Sequence, residues 1–389
     1  MLSKKIVYGI SFVVLIFSTY GSYSYFANSN TSFMGMNKPK PTTVMIDNAS
    51  GEAVSTEPKT EECPLNGELL SKTQKQLWEK RRPMGVMIEN HTDARPQSGI
   101  SSADVVYEAV AEGGITRFLN IFYCHDAKFI GPVRSARIYF INFLQEYGLN
   151  PLYVHVGGAN TDGPADALGA IDTLGWAGYN DLNQFSVPFP IFWRDYDRLP
   201  NRATEHTVYS ATQKLWDFAA SKRRLTNVDK KGVAWNKGFT LWKFKDDEKT
   251  LDRGQEGKKI SFGFWNSFAS DYAVVWTYHQ QSNSYTRENG GAPHLDKNTN
   301  KPLEAKNIIV MFAKESPAND GYPGGHILYK NIGTGDGILF QNGQALPLTW
   351  SKKDVTSHTI FTNEKGAEIS LVRGKIFVEV LPIGNKVTY

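Results

Sequence analysis

Arginine is concentrated in one segment of the chain, which indicates oriented contacts with an anion. Between residues 81 and 210 there are nine arginines and one lysine, whereas the rest of the chain has five arginines and 28 lysines. The planar guanidinium group binds carboxylate or phosphate through two parallel hydrogen bonds and is less strongly hydrated than an ammonium group. Internal ion pairing with the 14 acidic residues of the same segment is the alternative. The predicted ligand-binding residues are Arg95, Arg117, Arg134, Arg137, Arg194 and Asp195.

Arg134 and Arg137 have the most informative spacing in this set. They are three residues apart at the predicted start of a helix over 134–148, directly after Gly131-Pro132. A helix N-terminus attracts anions through its free N–H groups, and two guanidinium groups on one face would add charge-assisted hydrogen bonds. We therefore expect this pair to anchor an anionic ligand.

Glu108 and Glu112 are the candidates for general acid chemistry. The alternation of the surrounding residues places both on one face of a predicted strand, on either side of Val110. A carboxyl group beside apolar side chains holds its proton to a higher pH, as a general acid requires. The alternative is that Glu108 forms an ion pair, with Arg117 across a hairpin or with another arginine.

Two histidines complete the candidate catalytic residues. His155 lies in an apolar run just before Gly157-Gly158, at a predicted strand end where pockets often open, and His206 shares a long loop with Asp195. A hydrogen-bonded structural histidine is the alternative for His155. The histidines have no metal-ligand spacing and the chain has no G-x-S-x-G elbow, so we expect no metal, no cofactor and no serine-hydrolase triad.

Residue patterns predict the elements that position these side chains. Residues 103–112 and 115–123 alternate between apolar and polar and are joined by Gly113-Gly114, which predicts a β-hairpin. The other predicted elements of this half are strands over 83–90 and 152–156, helices over 134–148 and 208–224, and a long aromatic loop over 175–207.

The pattern changes after residue 224. A lysine-rich joint over 225–261 is followed by six or more short alternating runs separated by Asn-Gly, Gly-Asp-Gly and Lys-Gly turns, which is typical of a β-rich domain. The sequence therefore predicts an α+β fold class, with a mixed α/β domain over 61–224 and a smaller β-rich domain over 262–389.

The first 26 residues predict where the protein resides. Residues 6–26 are uncharged and long enough to span a bilayer as a transmembrane helix, and Lys4 and Lys5 favour a cytoplasmic N-terminus. A cleaved signal peptide is the alternative, which would make the protein secreted. Both interpretations place the rest of the chain outside the cytoplasm, with a flexible polar stalk over 27–60 ahead of the folded part.

Composition restricts the remaining classes. A net charge of +4 over 389 residues is too weak for a dedicated nucleic-acid binder, and 41% hydrophobic residues indicate a folded chain. Cys63 and Cys124 are too few for a disulfide-stapled scaffold and form no C-x-x-C pair. Outside the cell they could form one bridge that stabilises the fold by a few kcal/mol, and two free thiols are the alternative.

Several strings of residues resemble the YerB family of bacterial cell-envelope lipoproteins. They include ARPQSG, YEA-x-x-EGGITR and GPVRSAR, and the resemblance covers roughly residues 62–385. It implies an exported, surface-anchored protein of mostly Gram-positive bacteria with an N-terminal and a smaller C-terminal domain, and it implies no particular reaction. The chain departs from the family in lacking a cysteine near its apolar segment, so a transmembrane anchor would replace the lipid.

Three functions are compatible with these features. The favoured one is binding of an anionic or glycan wall component in an Arg-lined cleft, with Trp193 stacking on sugar rings. The second is an enzyme acting on wall glycans or polymers, with Glu108 or Glu112 as proton donor and His155 or His206 as base. The third is an assembly partner of another membrane protein.

Overall fold

The computed structural model describes residues 45–47 and 53–389 of the chain. The predicted membrane segment over 6–26 and most of the predicted stalk therefore lie outside the described residues. Within the described ranges, no helix has the length and apolar character needed to cross a membrane. Residues 45–47 and 53–389 belong to one compact unit.

Short strands dominate residues 45–47 and 53–389, and the helices in this part of the chain are few and brief. In chain order the strands are β1 (Met45–Ile46), β2 (Ala53–Val54), β3 (Glu61–Glu62), β4 (Leu69–Leu70), β5 (Met84–Glu89), β6 (Val105–Glu112), β7 (Ile115–Phe122), β8 (Leu152–His155), β9 (Asp181–Asn183), β10 (Trp193–Arg194), β11 (Val208–Tyr209), β12 (Phe244–Lys245), β13 (Lys259–Phe262), β14 (Val274–His279), β15 (Ser284–Asn289), β16 (Ala292–Pro293), β17 (Leu295–Asp296), β18 (Lys301–Pro302), β19 (Glu304–Ala305), β20 (Asn307–Pro317), β21 (Ile327–Lys330), β22 (Gly333–Gln341), β23 (Gln344–Lys352), β24 (Ile360–Thr362), β25 (Leu371–Val372), β26 (Ile376–Pro382) and β27 (Val387–Thr388). The α-helices are α1 (Lys72–Trp78), α2 (Ile138–Leu144), α3 (Ala167–Thr173), α4 (Thr212–Phe218) and α5 (Ala269–Tyr272).

One large sheet runs through both halves of the sequence. Its strand order is β24-β23-β22-β20-β26-β6-β7-β5-β8-β9, with β21 beside β20. The two halves join where β26 pairs in parallel with β6, which places Glu379 opposite Glu108. The main sheet thus takes strands from both predicted domains, and the domain boundaries at 225–261 stay a prediction.

A second sheet lies over one face of the hairpin. Its order is β16-β15-β14-β13-β27, with β19 beside β15. The buried ring of Trp276 on β14 packs on Phe377 of β26 at a centroid distance of 5.0 Å, and Phe377 packs in turn on Phe118 of β7. The strand-rich character predicted from residue 262 onward is therefore confirmed.

The hairpin predicted from residues 103–123 is confirmed as β6 and β7, but its two glutamates do not share a face. A register shift between Val110 and Glu112 breaks the alternation of β6. Glu108 contacts Thr116, whereas Glu112 contacts Arg117, and neighbouring residues of a strand point to opposite faces. The prediction of a common face is wrong because of this bulge.

The helix predicted over 134–148 begins later than expected. Arg137 is its N-cap, with extended dihedral angles, and α2 covers Ile138–Leu144. The Arg134 amide donates to the Met87 carbonyl of β5, and the Arg134 carbonyl accepts from the Val156 amide after β8. Because the backbone of Arg134 is hydrogen-bonded to residues of and beside these strands, Arg134 and Arg137 lie on an extended segment and not on one helix face.

Two further elements are shorter than predicted. The helix expected over 208–224 is α4 followed by a π-helical turn over Ala219–Arg223, because Val208 and Tyr209 form β11. The long loop over 175–207 contains β9 and β10.

The predicted disulfide is confirmed. Cys63 and Cys124 are bonded across 61 residues and are almost completely buried. The buried carboxylate of Asp104 accepts hydrogen bonds from the Tyr123 and Cys124 amides at 2.6 and 2.9 Å. The amino-terminal end of β6 is therefore closed by both covalent and polar contacts.

Candidate functional site

Five charged residues meet where β5, β6 and β8 end. Both β5 and β6 run antiparallel to β7, and β8 runs parallel to β5, so the carboxyl ends of these three strands lie at one edge of the main sheet. Ligands of open sheets commonly bind outside the carboxyl ends of strands. We call this group the carboxyl edge, and it consists of Glu89, Glu112, Arg117, Arg134 and Arg137.

Glu89 is the last residue of β5 and joins two cations. Its Oε1 accepts a hydrogen bond from Arg134 Nε at 3.1 Å, and its Oε2 lies 2.8 Å from His206 Nδ1. Burial alone would raise the pKa of Glu89, but the hydrogen bond from His206 and the charge of Arg134 outweigh it and lower the pKa. The same hydrogen bond raises the pKa of His206. Glu89 is therefore held as an anion.

Glu112 is the last residue of β6 and lies among three basic side chains. It forms an ion pair with Arg137, and its Oε2 lies 3.7 Å from Arg117 Nη2. His326 Nε2 approaches its Oε1 at 3.9 Å. The Glu112 side chain keeps 20% of its surface exposed, so it is accessible to a ligand.

The three arginines differ in exposure. Arg117 and Arg137 are buried, and burial lowers the pKa of both. Their Nε atoms have no hydrogen-bond partner within residues 45–47 and 53–389. Arg134 keeps 28% of its side chain exposed. A buried donor without an acceptor is costly for the fold, and Arg134 is the guanidinium group of the three with the most surface open to a ligand.

Two exposed aromatic rings flank the carboxyl edge. Phe185 lies against Gly157, whose amide donates to Asn183 Oδ1 at 3.1 Å and whose positive φ excludes most side chains. Tyr322 stacks on His326 with a centroid distance of 4.1 Å and is 44% exposed. Rings of this kind are suited to the apolar faces of sugars.

Glu108 lies on the opposite face and is fully enclosed. Its Oε1 accepts from Asn90 at 3.1 Å and from Thr116 at 2.6 Å, and its Oε2 pairs with Arg287. The side chains of Glu108 and Arg287 have no exposed surface. A general acid must contact its substrate. Glu108 is therefore removed from the candidate site. The alternative stated from the sequence, an ion pair with an arginine, is confirmed, and the partner is Arg287 and not Arg117.

The enclosed cluster holds a second carboxyl group. Burial and the neighbouring Glu108 carboxylate raise the pKa of Glu379 well above its usual range. Burial and the charge of Arg287 lower the pKa of His294. The Nε2 atom of His294 lies 2.8 Å from Gln97 Oε1. The cluster thus contains one ion pair and two neutral groups, which suits a sealed interior.

Arg95 contributes to this enclosed region and not to the carboxyl edge. Its Nε donates to Asn90 Oδ1 at 3.0 Å and its Nη1 donates to the Asp271 carbonyl at 2.8 Å. Burial lowers its pKa to about 10. Arg95 therefore joins the N-terminal half to α5, and the structure corrects its predicted role in ligand binding.

His155 is a structural histidine. It is fully buried, its Nε2 lies 2.6 Å from Asp181 Oδ1, and its Nδ1 lies 2.7 Å from the Gly157 carbonyl. Both ring nitrogens are occupied within the protein, so the alternative stated from the sequence describes His155 and its predicted role as a base is corrected.

Arg194 and Asp195 make local contacts. Arg194 Nη1 donates to the Thr204 carbonyl at 2.6 Å, and Asp195 Oδ1 accepts from the Arg198 amide at 2.9 Å. Arg194 lines a cavity of about 190 Å³ together with Trp193. Cavities of about 920, 550, 540 and 530 Å³ are lined by other residues and not by the five residues of the carboxyl edge.

Sequence reasoning missed several residues of this region. Glu89 could have been found, because it is a charged residue that ends an apolar strand in the arginine-rich segment. His326 comes from the C-terminal half and had no local signal. His91 and Asp93 were also missed; their ligand atoms and that of the predicted His206 lie within 4.8 Å of one another, and these residues could hold a metal ion.

Comparison with known proteins extends these observations. Residues 69–226 match the model of the DUF3048 N-terminal domain and residues 265–378 match the model of the DUF3048 C-terminal domain, both described as protein of unknown function. The chain is 29% identical over 332 residues to "Putative lipoprotein YerB" of Bacillus subtilis (strain 168), covering 85% of this chain and 89% of that protein. The crystal structure of YerB protein from Bacillus subtilis is similar with a TM-score of 0.66 and 27% identity, covering 85% of this chain and all of that one.

Proposed function

This chain belongs to the YerB family, and we propose that it is a membrane-associated, extracytoplasmic envelope protein that binds an anionic wall component at the carboxyl edge. Three observations support the location. The YerB relative is named as a lipoprotein, residues 6–26 have the length and composition of a membrane anchor, and a disulfide between Cys63 and Cys124 is typical of an oxidising compartment.

The convergence of Arg117, Arg134 and Arg137 is the observation that carries the binding proposal. Three guanidinium groups face the two carboxylates of Glu89 and Glu112, which leaves one positive charge in excess within this group of five. Arg134 supplies the guanidinium group with the most exposed surface, and the buried Arg117 and Arg137 add positive charge behind it. A carboxylate or phosphate of a wall polymer matches this arrangement in charge and geometry.

A glycan attached to the anion would find contacts beside the arginines. The exposed rings of Phe185 and Tyr322 offer apolar surfaces for sugar rings, and the Asn183 and Glu112 side chains offer polar groups. This feature favours a glycan polymer with anionic groups over a small inorganic anion.

Co-sedimentation of the purified full chain with peptidoglycan sacculi tests the proposal. We expect the chain to sediment with sacculi that retain their anionic polymers and to bind less when these polymers are removed or salt is raised. Arg134→Ala should weaken binding roughly tenfold or more, because a hydrogen bond to a charged group contributes about 1.5–3 kcal/mol.

Arg373→Ala is the matched control. Its side chain has a similar exposure of 24% and pairs with Glu62 and Asp246, away from the carboxyl edge. Equal binding by Arg134→Ala, Arg373→Ala and the unaltered chain would overturn the proposal. Release of soluble fragments that Glu112→Gln abolishes would instead support the enzyme.

A further inference from the structure

Three metal-ligating side chains from two distant segments meet beside the carboxyl edge. His91 and Asp93 lie in the turn after β5, and His206 lies in the 3-10 turn before β11. The ligand atoms of the three residues lie within 4.8 Å of one another. The rings of His91 and His206 are stacked, with centroids 4.9 Å apart.

His206 is oriented as a metal ligand. Its Nδ1 lies 2.8 Å from the Glu89 carboxylate, so the proton sits on Nδ1 and the lone pair of Nε2 points away from Glu89. Metal-bound histidines commonly donate their other ring N–H to a carboxylate, which fixes the ring and raises its basicity. Glu89 would act here as a positioning residue.

His91 and Asp93 supply the remaining ligand atoms. His91 Nδ1 accepts a hydrogen bond from the Asp93 amide at 3.1 Å, so metal binding at this nitrogen exchanges that hydrogen bond for the bond to the ion. Asp93 Oδ2 lies 4.0 Å from the same nitrogen. Arg202 approaches the other oxygen, Oδ1, at 3.5 Å. One carboxylate oxygen therefore faces the histidines.

We propose that His91, Asp93 and His206 bind a divalent transition metal ion of the zinc type. Two imidazoles and one carboxylate suit zinc, whereas magnesium and calcium prefer oxygen ligands alone. The ligand atoms lie up to 4.8 Å from one another. Zinc–ligand distances of about 2.0–2.2 Å require them to move closer together by about 1 Å. The exposed side chains permit this, since His91 is 33% and Asp93 52% exposed.

Three protein ligands leave one position of a tetrahedral ion open. This position would face solvent on the side of Asp93 and His91. The inference does not depend on anion binding by the arginines, because it rests on other ligand atoms and is tested with metal alone.

Metal titration of the chelator-treated full chain tests the inference. Co²⁺ is the probe, because its visible absorption changes with its coordination geometry when it binds, and Zn²⁺ displaces it in competition. We expect one equivalent of Co²⁺ per chain and a weakening of roughly tenfold or more in His91→Ala and in Asp93→Asn. Loss of the Glu89 hydrogen bond in Glu89→Gln should weaken binding roughly 10–100-fold.

His279→Ala is the matched control, because His279 is an exposed histidine on β14. It should bind Co²⁺ as the unaltered chain does, and equal melting temperatures would show that His91→Ala and Asp93→Asn remain folded. The inference is overturned if the unaltered chain binds no Co²⁺, or if folded His91→Ala and Asp93→Asn bind it as tightly as the unaltered chain.

Discussion

Strand β6 carries two glutamates, Glu108 and Glu112, that lie in contrasting environments. Glu108 is fully enclosed, and Asn90, Thr116 and Arg287 fill the acceptor positions of its carboxylate. Glu112, four residues later, lies at the carboxyl edge with 20% of its side chain exposed. Glu108 belongs to a region in which Arg287 is its ion-pair partner, and Glu112 belongs to a group in which three guanidinium groups meet two carboxylates.

This difference separates stability from binding. Enclosed charges must be paired within the protein, because removing one partner leaves the other desolvated. Partly open charges lose less when a partner is removed, because water replaces it. The same residue types therefore support the fold on one face of β6 and remain available to a ligand on the other.

The largest expected effect is on the enclosed face. Arg287→Met should lower the free energy of unfolding by about 3–5 kcal/mol, because it leaves the Glu108 carboxylate buried without its cation. Denaturant unfolding followed by tryptophan fluorescence measures this change. The double variant Glu108→Leu with Arg287→Met should recover most of the loss. If Arg287→Met lowers the free energy of unfolding by less than about 1 kcal/mol, the enclosed charges do not support the fold more than those of the carboxyl edge.

A similar effect is expected at the closed amino-terminal end of the sheet. Replacing Cys63 and Cys124 with serine releases a 61-residue loop, which costs about 4 kcal/mol in the chain-entropy model. Thermal unfolding of the full chain, with and without reductant, checks the value. Two thiols reactive in denaturant without reductant would show that the bond is absent from the purified protein.

The third effect contrasts two buried histidines. Burial lowers the pKa of His358 to about 4, and its ring nitrogens find no hydrogen-bond partner in the part of the chain that the structure describes. Unfolding restores a pKa near 6.5, so the unfolded state binds more protons and stability falls by about 3 kcal/mol as the pH drops from 6.5 to 4. His358→Phe should flatten this slope in unfolding measured between pH 4 and 7.

His206 should behave in the opposite way. The Glu89 hydrogen bond raises its pKa, so the stability it contributes is complete below pH 6.5 and is lost as the pH rises through the folded-state value. Histidine NMR titration of the metal-free chain should give a pKa above 6.5 for His206 and below 6.5 for His358. A His206 pKa that is as high in Glu89→Gln as in the unaltered chain would contradict the assigned cause.

The smallest expected change in stability is at the carboxyl edge. Arg134→Ala should lower the free energy of unfolding by less than about 1 kcal/mol, because the Arg134–Glu89 pair is partly open to solvent. Denaturant unfolding alongside Arg373→Ala checks this value. A loss of 3 kcal/mol or more would mean that Arg134 supports the fold, and weaker wall binding by that variant would then reflect unfolding.

Local patterns predicted much of the fold. Strict alternation and the Gly113-Gly114 turn predicted β6 and β7, and short apolar runs predicted β5 and β8. The later start of α2 was not predictable from spacing, because the extended segment at Arg134 is set by backbone pairing with β5 and β8. Periodicity describes one segment at a time, whereas this pairing depends on residues 47 and 22 positions away in the sequence.

For the candidate site, the sequence predicted which residue types take part better than it predicted which of these residues lie close together. Arg117, Arg134 and Arg137 were identified from arginine enrichment, and the structure brings them together. Arg95 was included for the same reason but contacts Asn90 and Asp271. Arginine enrichment cannot distinguish these cases, because an enclosed arginine and an arginine that is open to a ligand count equally in the composition of a segment.

The sequence by itself determined the strand-rich character, the family and the arginine-rich segment, because each depends on residue order alone. Only the tertiary structure decided that a bulge sends Glu112 away from Glu108, that Arg287 enters from the other half of the chain, and that His91 meets His206. These outcomes depend on contacts between residues separated by about 100 positions or more, or on a single-residue shift in register that reverses the faces of a strand.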